Sequence, residues 1–142
     1  MNYKHMQDKR KVEELEGAQI IEGTFDGQVM NSDDGSLYPV PANYASKSKL
    51  VEGDRLKLVI ASDGGFIFKQ IGPVERRSFI GTFHIDEEDI PFVSDDANDK
   101  GYRVLVASAT YFKLTEGDRI VAIVPRYGEA FFATVENKLV RK

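Results

Sequence analysis

Apolar and polar side chains alternate in short runs along this chain, a two-residue period that predicts strands rather than helices. Leu56, Leu58 and Ile60 fall on one face, with Lys57 on the other. Asp63-Gly64-Gly65 then turns the chain into Phe66 to Ile71, which predicts a hairpin. Upstream, Ile20 to Phe25 reads as a strand, and Asp33-Asp34-Gly35 as a turn. Leu37-Tyr38-Pro39-Val40-Pro41 reads as a second strand, and because its prolines have no N–H to give to a ladder it should be an edge. Asn43 to Leu50 fits one or two helical turns, with Asn43 as the cap. Gly53-Asp54 makes a tight turn: glycine adopts positive φ without a Cβ clash, and the short carboxylate accepts nearby backbone N–H groups.

The same order comes twice. A shift of 64 residues lays Glu52-Gly53-Asp54-Arg55 on Glu116-Gly117-Asp118-Arg119, Leu50 on Leu114, Lys49 on Lys113, Gly64 on Gly128 and Phe68 on Phe132. Gly23-Thr24-Phe25 matches Gly81-Thr82-Phe83 at a shift of 58, so repeat two is longer between these marks. The extra length lies in Asp86-Glu87-Glu88-Asp89 and in Asp95 to Gly101. Tyr102 to Ala107 reads as its second strand, Ser108 to Leu114 replaces the helix, and Ile120 to Val124 with Ala130 to Val135 forms the closing hairpin. Repeat two also holds an extra apolar segment, Ile90 to Val93, so repeat one reads as one strand short. The expected organisation is a polar tail over 1–19, repeat one over 20–75 and repeat two over 76–142. The connector Gly72 to Arg77 is short, which favours two repeats packed as one unit. In the tail, Lys9-Arg10-Lys11 before Glu13-Glu14-Glu16 predicts at most a short helix ending near Gly17.

Composition narrows the function classes. A chain of 142 residues buries roughly 68–70% of its unfolded surface and needs no covalent staple. It has no Cys, which removes disulfides, thiolate metal sites and thiol catalysis. No signal-peptide core or membrane-length apolar run is present, and a cytoplasmic location is expected. The net charge is −4, so the whole-molecule field does not favour polyanions, although a local basic face still could.

The ordered set Gly23-Thr24-Phe25, a turn at Gly35, Tyr38-Pro39-Val40-Pro41, a short helix, Leu50-x-x-Gly53-Asp54 and a hairpin ending Phe66-Ile67-Phe68-Lys69 resembles the AbrB/SpoVT swapped-hairpin family. It is also similar to that family's cradle-loop, double-psi barrel relatives, which share the Gly-Asp box. The resemblance covers residues 20–137. It implies an all-β fold, β-rich with short helices, in which both repeats build one pseudo-two-fold barrel inside a monomer. The alternative is a pair of OB-like barrels, one per repeat, similar to translation initiation factor one and S1 domains. The whole chain also resembles small two-repeat proteins of uncultivated small-genome bacteria that carry a ribosomal-stalk label. It has no stretch like the stalk protein's Ala/Lys/Glu/Val-rich domain or its hinge.

DNA binding is what the AbrB-type resemblance implies, through basic residues on the first strand and around the short helix. The matching stretches here carry Asp26 and Gln28 on the strand and only Lys47 and Lys49 in the helix. The basic set that remains is Lys47, Lys49, Arg55, Lys57, Lys69, Arg76 and Arg77, with Arg119 in the second copy. Tyr44, Tyr111 and Phe112 are candidate stacking platforms for RNA, or else packing groups. His84 beside Asp86 to Asp89 could hold a divalent ion, but the spacing is sequential and an exposed acidic loop is the better reading. Neither repeat has the Asp-Thr/Ser-Gly loop of aspartic proteases, and Gly35-Ser36, a possible self-cleaving pair, lies in an ordinary turn. The expectation is a non-catalytic module with no cofactor or metal, binding a nucleic acid or ribonucleoprotein, ribosome-associated by the second resemblance. The alternative is a protein–protein adaptor that has lost the basic surface. Charge placement separates them: convergent Lys47, Lys49, Arg55, Lys57 and Arg76 favour a polyanion, whereas an aromatic and apolar patch favours a protein.

Overall fold

The structure, a computed structural model, describes residues 17–139. Both chain ends beyond these bounds, including most of the expected tail, lie outside the described residues. Repeat one runs β1 (Gln19–Phe25), β2 (Val29–Ser32), β3 (Leu37–Pro39), α1 (Ala42–Lys47), β4 (Arg55–Ile60) and β5 (Phe66–Gly72). Repeat two runs β6 (Arg76–Ile85), β7 (Pro91–Asp95), β8 (Gly101–Arg103), α2 (Val106–Tyr111), β9 (Arg119–Pro125) and β10 (Thr134–Lys138). Each repeat makes its own antiparallel five-stranded sheet, in the orders β3-β2-β1-β4-β5 and β8-β7-β6-β9-β10. Every ladder among the described residues joins strands of one repeat. The exchange of strands that a shared swapped-hairpin barrel implies is not made by these ladders. No helix among them is long and apolar enough to cross a membrane.

The Gly-Asp box explains why both sheets take one form. Gly53 and Gly117 sit at φ 101° and 89°, where a side chain is strained. Gly53 N–H donates to Phe25 O at 2.7 Å, and Phe25 N–H to Asp54 O at 2.8 Å. Gly117, Phe83 and Asp118 repeat the pair of bonds at 2.8 Å each. The box therefore clamps the start of β4 or β9 to the end of the first strand, where Phe25 and Phe83 enter the two cores. Burying each ring stabilises by about 1.5–3 kcal/mol. Leu56, Leu58, Met30 and Leu50 surround Phe25; Ile120, Ala122, Val93 and Leu114 surround Phe83. Gly23 and Gly81 precede these rings because a Cβ there would run into the carbonyl oxygens of Asn31 and Ser94.

The repeats meet through their helices. α1 packs on α2, with Ser46 Oγ 2.8 Å from Ser108 Oγ in a buried contact. Thr134 Oγ1 donates to Leu50 O at 2.5 Å, and Glu52 Oε1 accepts the N–H groups of Phe131 and Phe132 at 3.0 and 3.1 Å.

Several expected elements differ. Repeat one is not a strand short: Val29–Ser32 forms β2, pairing Met30 with Phe25. Its alternation was masked by turn-forming Asp26-Gly27 on one side and Asp33-Asp34 on the other. Asn43 is not the cap; Pro41 occupies that position without a side-chain bond. Tyr102 to Ala107 is not one strand, because β8 ends at Arg103 and α2 begins at Val106. Phe132 is not the structural match of Phe68. Leu58 pairs with Phe68 and Ala122 with Val135, so the second hairpin is three residues longer.

Candidate functional site

Most of the candidate cations are already engaged. Arg55 grips Asp33 with two bonds of 2.9 and 2.8 Å, donates to Thr24 Oγ1 at 3.1 Å and lies 3.6 Å from Glu22. Its guanidinium, above all through those bonds, holds the Asp33 carboxyl below its ordinary range. Arg119 repeats the arrangement with Asp96 at 2.5 Å, and Thr82 Oγ1 donates to the same carboxylate at 3.1 Å. Arg76 donates to the buried Asp54 carboxylate at 2.7 Å. Arg77 donates to the Tyr102 hydroxyl at 3.2 Å and lies 3.7 Å from Asp95. Lys49 reaches across to Val135 O and Glu136 O at 3.4 and 3.0 Å, over the Phe112 ring. Lys47, Lys57 and Lys69 have no carboxylate partner within salt-bridge distance among the described residues. The sheet register sets Lys57 directly opposite Lys69, and Glu22 opposite Lys57.

Of the candidate set, Arg55, Lys57 and Lys69 share the outer face of the first sheet, with Arg55 already bound to Asp33. A cleft between the repeats, about 400 Å³, is lined by Glu52, Glu75 and Glu129 beside Tyr127, a sign of charge that repels phosphate.

An aromatic row stands out instead. Tyr44 on α1 packs on Phe68 at 6.3 Å between centroids, Phe68 meets Phe66 at 6.2 Å, and Phe66 meets Tyr38 at 6.0 Å, the last two edge to face. Burial raises the Tyr44 phenol above its ordinary value, against hydrogen bonds with Ser48 and with the backbone of Gln70. The row continues the core of repeat one outward; Phe66 is 46% exposed, and Leu37, Ile67 and Ile71 are exposed nearby. Sequence reasoning singled out Tyr44 but not Tyr38, Phe66 or Phe68. The Phe66-x-Phe68 spacing put both rings on one face, but their lying at an edge beside Tyr38 depends on tertiary pairing. Tyr111 is exposed and stands edge to face on Phe112, which packs against the core of repeat two.

The edge beside that row is open in one repeat and closed in the other. In repeat two, Arg103 N–H donates to Phe131 O at 2.8 Å and Ala133 N–H to Arg103 O at 2.9 Å, a parallel bridge from β8 to the segment before β10. In repeat one the residue at the Arg103 position is Pro39, which has no N–H, and the shorter hairpin lacks that segment. β3 and β5 stay the two edges of the sheet.

The acidic loop behaves as a folded turn. Asp86 Oδ1 accepts the N–H groups of Glu88 and Ile90. His84 binds Glu116 at 2.6 Å and Ser94 at 3.2 Å. Among the described residues no group of three or more metal-ligating side chains converges. No family model matches the chain, and no curated protein matches it significantly.

Proposed function

We propose that the protein is a non-catalytic, monomeric adaptor that binds another protein through the open edge of repeat one. The observation that carries this reading is the aromatic row Tyr38–Phe66–Phe68–Tyr44, half-buried but exposed at Phe66, at an edge where Leu37, Ile67 and Ile71 are also exposed, while Arg55, Arg76 and Arg77 spend their charge inside the molecule. An apolar patch of this kind is characteristic of a docking surface. The order β3-β2-β1-β4-β5, with a helix between the third and fourth strands, supports the OB-like alternative for each repeat over a shared cradle-loop barrel.

The test is a photo-crosslinking residue, benzoyl-phenylalanine, at position 66. In extract it should give adducts that survive nuclease and disappear with protease. Nuclease-sensitive adducts, or none, would reject the reading.

Nucleic acid is the second reading, favoured by Lys47, Lys57 and Lys69, which lack carboxylate partners among the described residues, near rings able to stack on bases. A salt series with fluorescent single-stranded RNA and duplex DNA separates the two. Linear log–log weakening with salt supports phosphate contacts, and no complex at low salt removes them.

A further inference from the structure

We infer that β5 takes one more strand at its free edge, an extended peptide from a partner that carries a carboxylate opposite Lys69. This rests on the protein-partner reading above. Three observations lead to it.

The first is main-chain valence. Among the described residues β5 is laddered to β4 alone. Across the turn Ala61 N–H donates to Gly65 O, so by the alternation of the strands the amides of Ile67 and Lys69 face β4 and those of Phe66 and Phe68 face the open side. Repeat two meets this demand from its own chain, through the bridge between Arg103 and Phe132. In repeat one Pro39 holds the matching place in β3 and lacks the N–H that Arg103 gives to Phe131, and among the described residues no backbone bond joins β3 to β5.

The second is charge. Across the outer face the register reads Glu22, Lys57, Lys69 from β1 to β4 to β5. Like charges directly opposite destabilise a sheet, and Lys69 is the outermost of the row. A carboxylate on an added strand would stand opposite Lys69 and relieve the pair.

The third is shape. Ile67 shares the outer face with Lys69 and is exposed, Ile71 is exposed at the bulge that follows, and Phe66 and Phe68 line the inner face. An added strand would meet apolar surface on both of its faces, with one position reserved for an acid. Main-chain bonds would give affinity and these positions specificity.

The test uses a labelled nine-residue peptide alternating Val and Thr, with one central Glu on the Thr face, and its Lys counterpart, by fluorescence anisotropy on the full chain. The Glu peptide should bind about fivefold more tightly, the size of one cross-strand charge pair. Lys69→Glu should invert the preference and Lys69→Gln should erase it, with circular dichroism verifying the fold. N-methylation of the peptide amides that face β5 should abolish binding. Equal binding of the two peptides, tolerance of N-methylation, or no saturable binding at millimolar peptide would overturn the inference. So would a doubled mass by light scattering that Lys69→Glu halves, which assigns the edge to a second copy. If the peptides fail while nuclease-resistant adducts at position 66 persist, strand addition is wrong and the protein-partner reading stands. If both fail, that reading falls as well.

Discussion

Arg76 donates to the carboxylate of Asp54 at 2.7 Å, so the first residue of repeat two completes the turn that organises repeat one. Asp54 is fully buried and also accepts the N–H groups of Val51 and Val74 and the amide of Gln70. Its counterpart Asp118 is served instead by Thr115 and, at 3.3 Å, by Lys138 near the surface. Two copies of one motif thus carry unequal weight.

Removing one partner of a buried ion pair leaves an uncompensated charge, whereas an exposed pair contributes little. Arg76→Ala is expected to cost about 3 kcal/mol. Lys138→Ala should cost under about 1 kcal/mol. Urea titrations of both variants check this, and equal losses would reject the asymmetry.

Acid should unfold the protein through its paired carboxylates. The Thr115 N–H, then Lys138, hold Asp118 below its ordinary 3.8. The Ile85 N–H, then His84, hold Glu116 below 4.5. Each group is lower in the folded chain than in the unfolded one. Its stabilisation is therefore complete above those ordinary values and is lost as pH falls through the folded ones. The urea midpoint should stay level on this account from pH 7 to 5 and drop below about pH 4. Asp118→Asn should reduce that drop; an unchanged profile would contradict the assignment.

Gly23→Ala sets a methyl against the Asn31 carbonyl. Overpacking of this kind costs about 1–3 kcal/mol. Gly101→Ala, where the nearest atom to a new Cβ is 4.0 Å away, should stay within about 0.5 kcal/mol. Thermal melts of the pair give the comparison.

Much of the fold was legible in the residues. The repeat of Glu-Gly-Asp-Arg located both clamps, Pro39 in β3 marked an edge, and the alternation of Leu56, Leu58 and Ile60 set the core face. Short strands between turn residues were less visible, as β2 shows, because four residues carry little periodicity. The hairpin register slipped by three because Gly128 and Phe132 match at a fixed shift while pairing follows the ladder. The basic candidates were readable as residue types only. Whether Arg55 meets Asp33 or Arg76 meets Asp54 depends on partners brought together by the sheet.

Amide hydrogen exchange by NMR tests most directly the claim that repeat one keeps open an edge that repeat two closes. Ala133, whose N–H is bonded to Arg103 O, should exchange slowly, and Phe66 and Phe68 near the rate of an uncovered edge. Protection of Phe66 and Phe68 equal to that of Ala133 would mean the edge is already covered, and the account of an adaptor with a free strand position would be wrong.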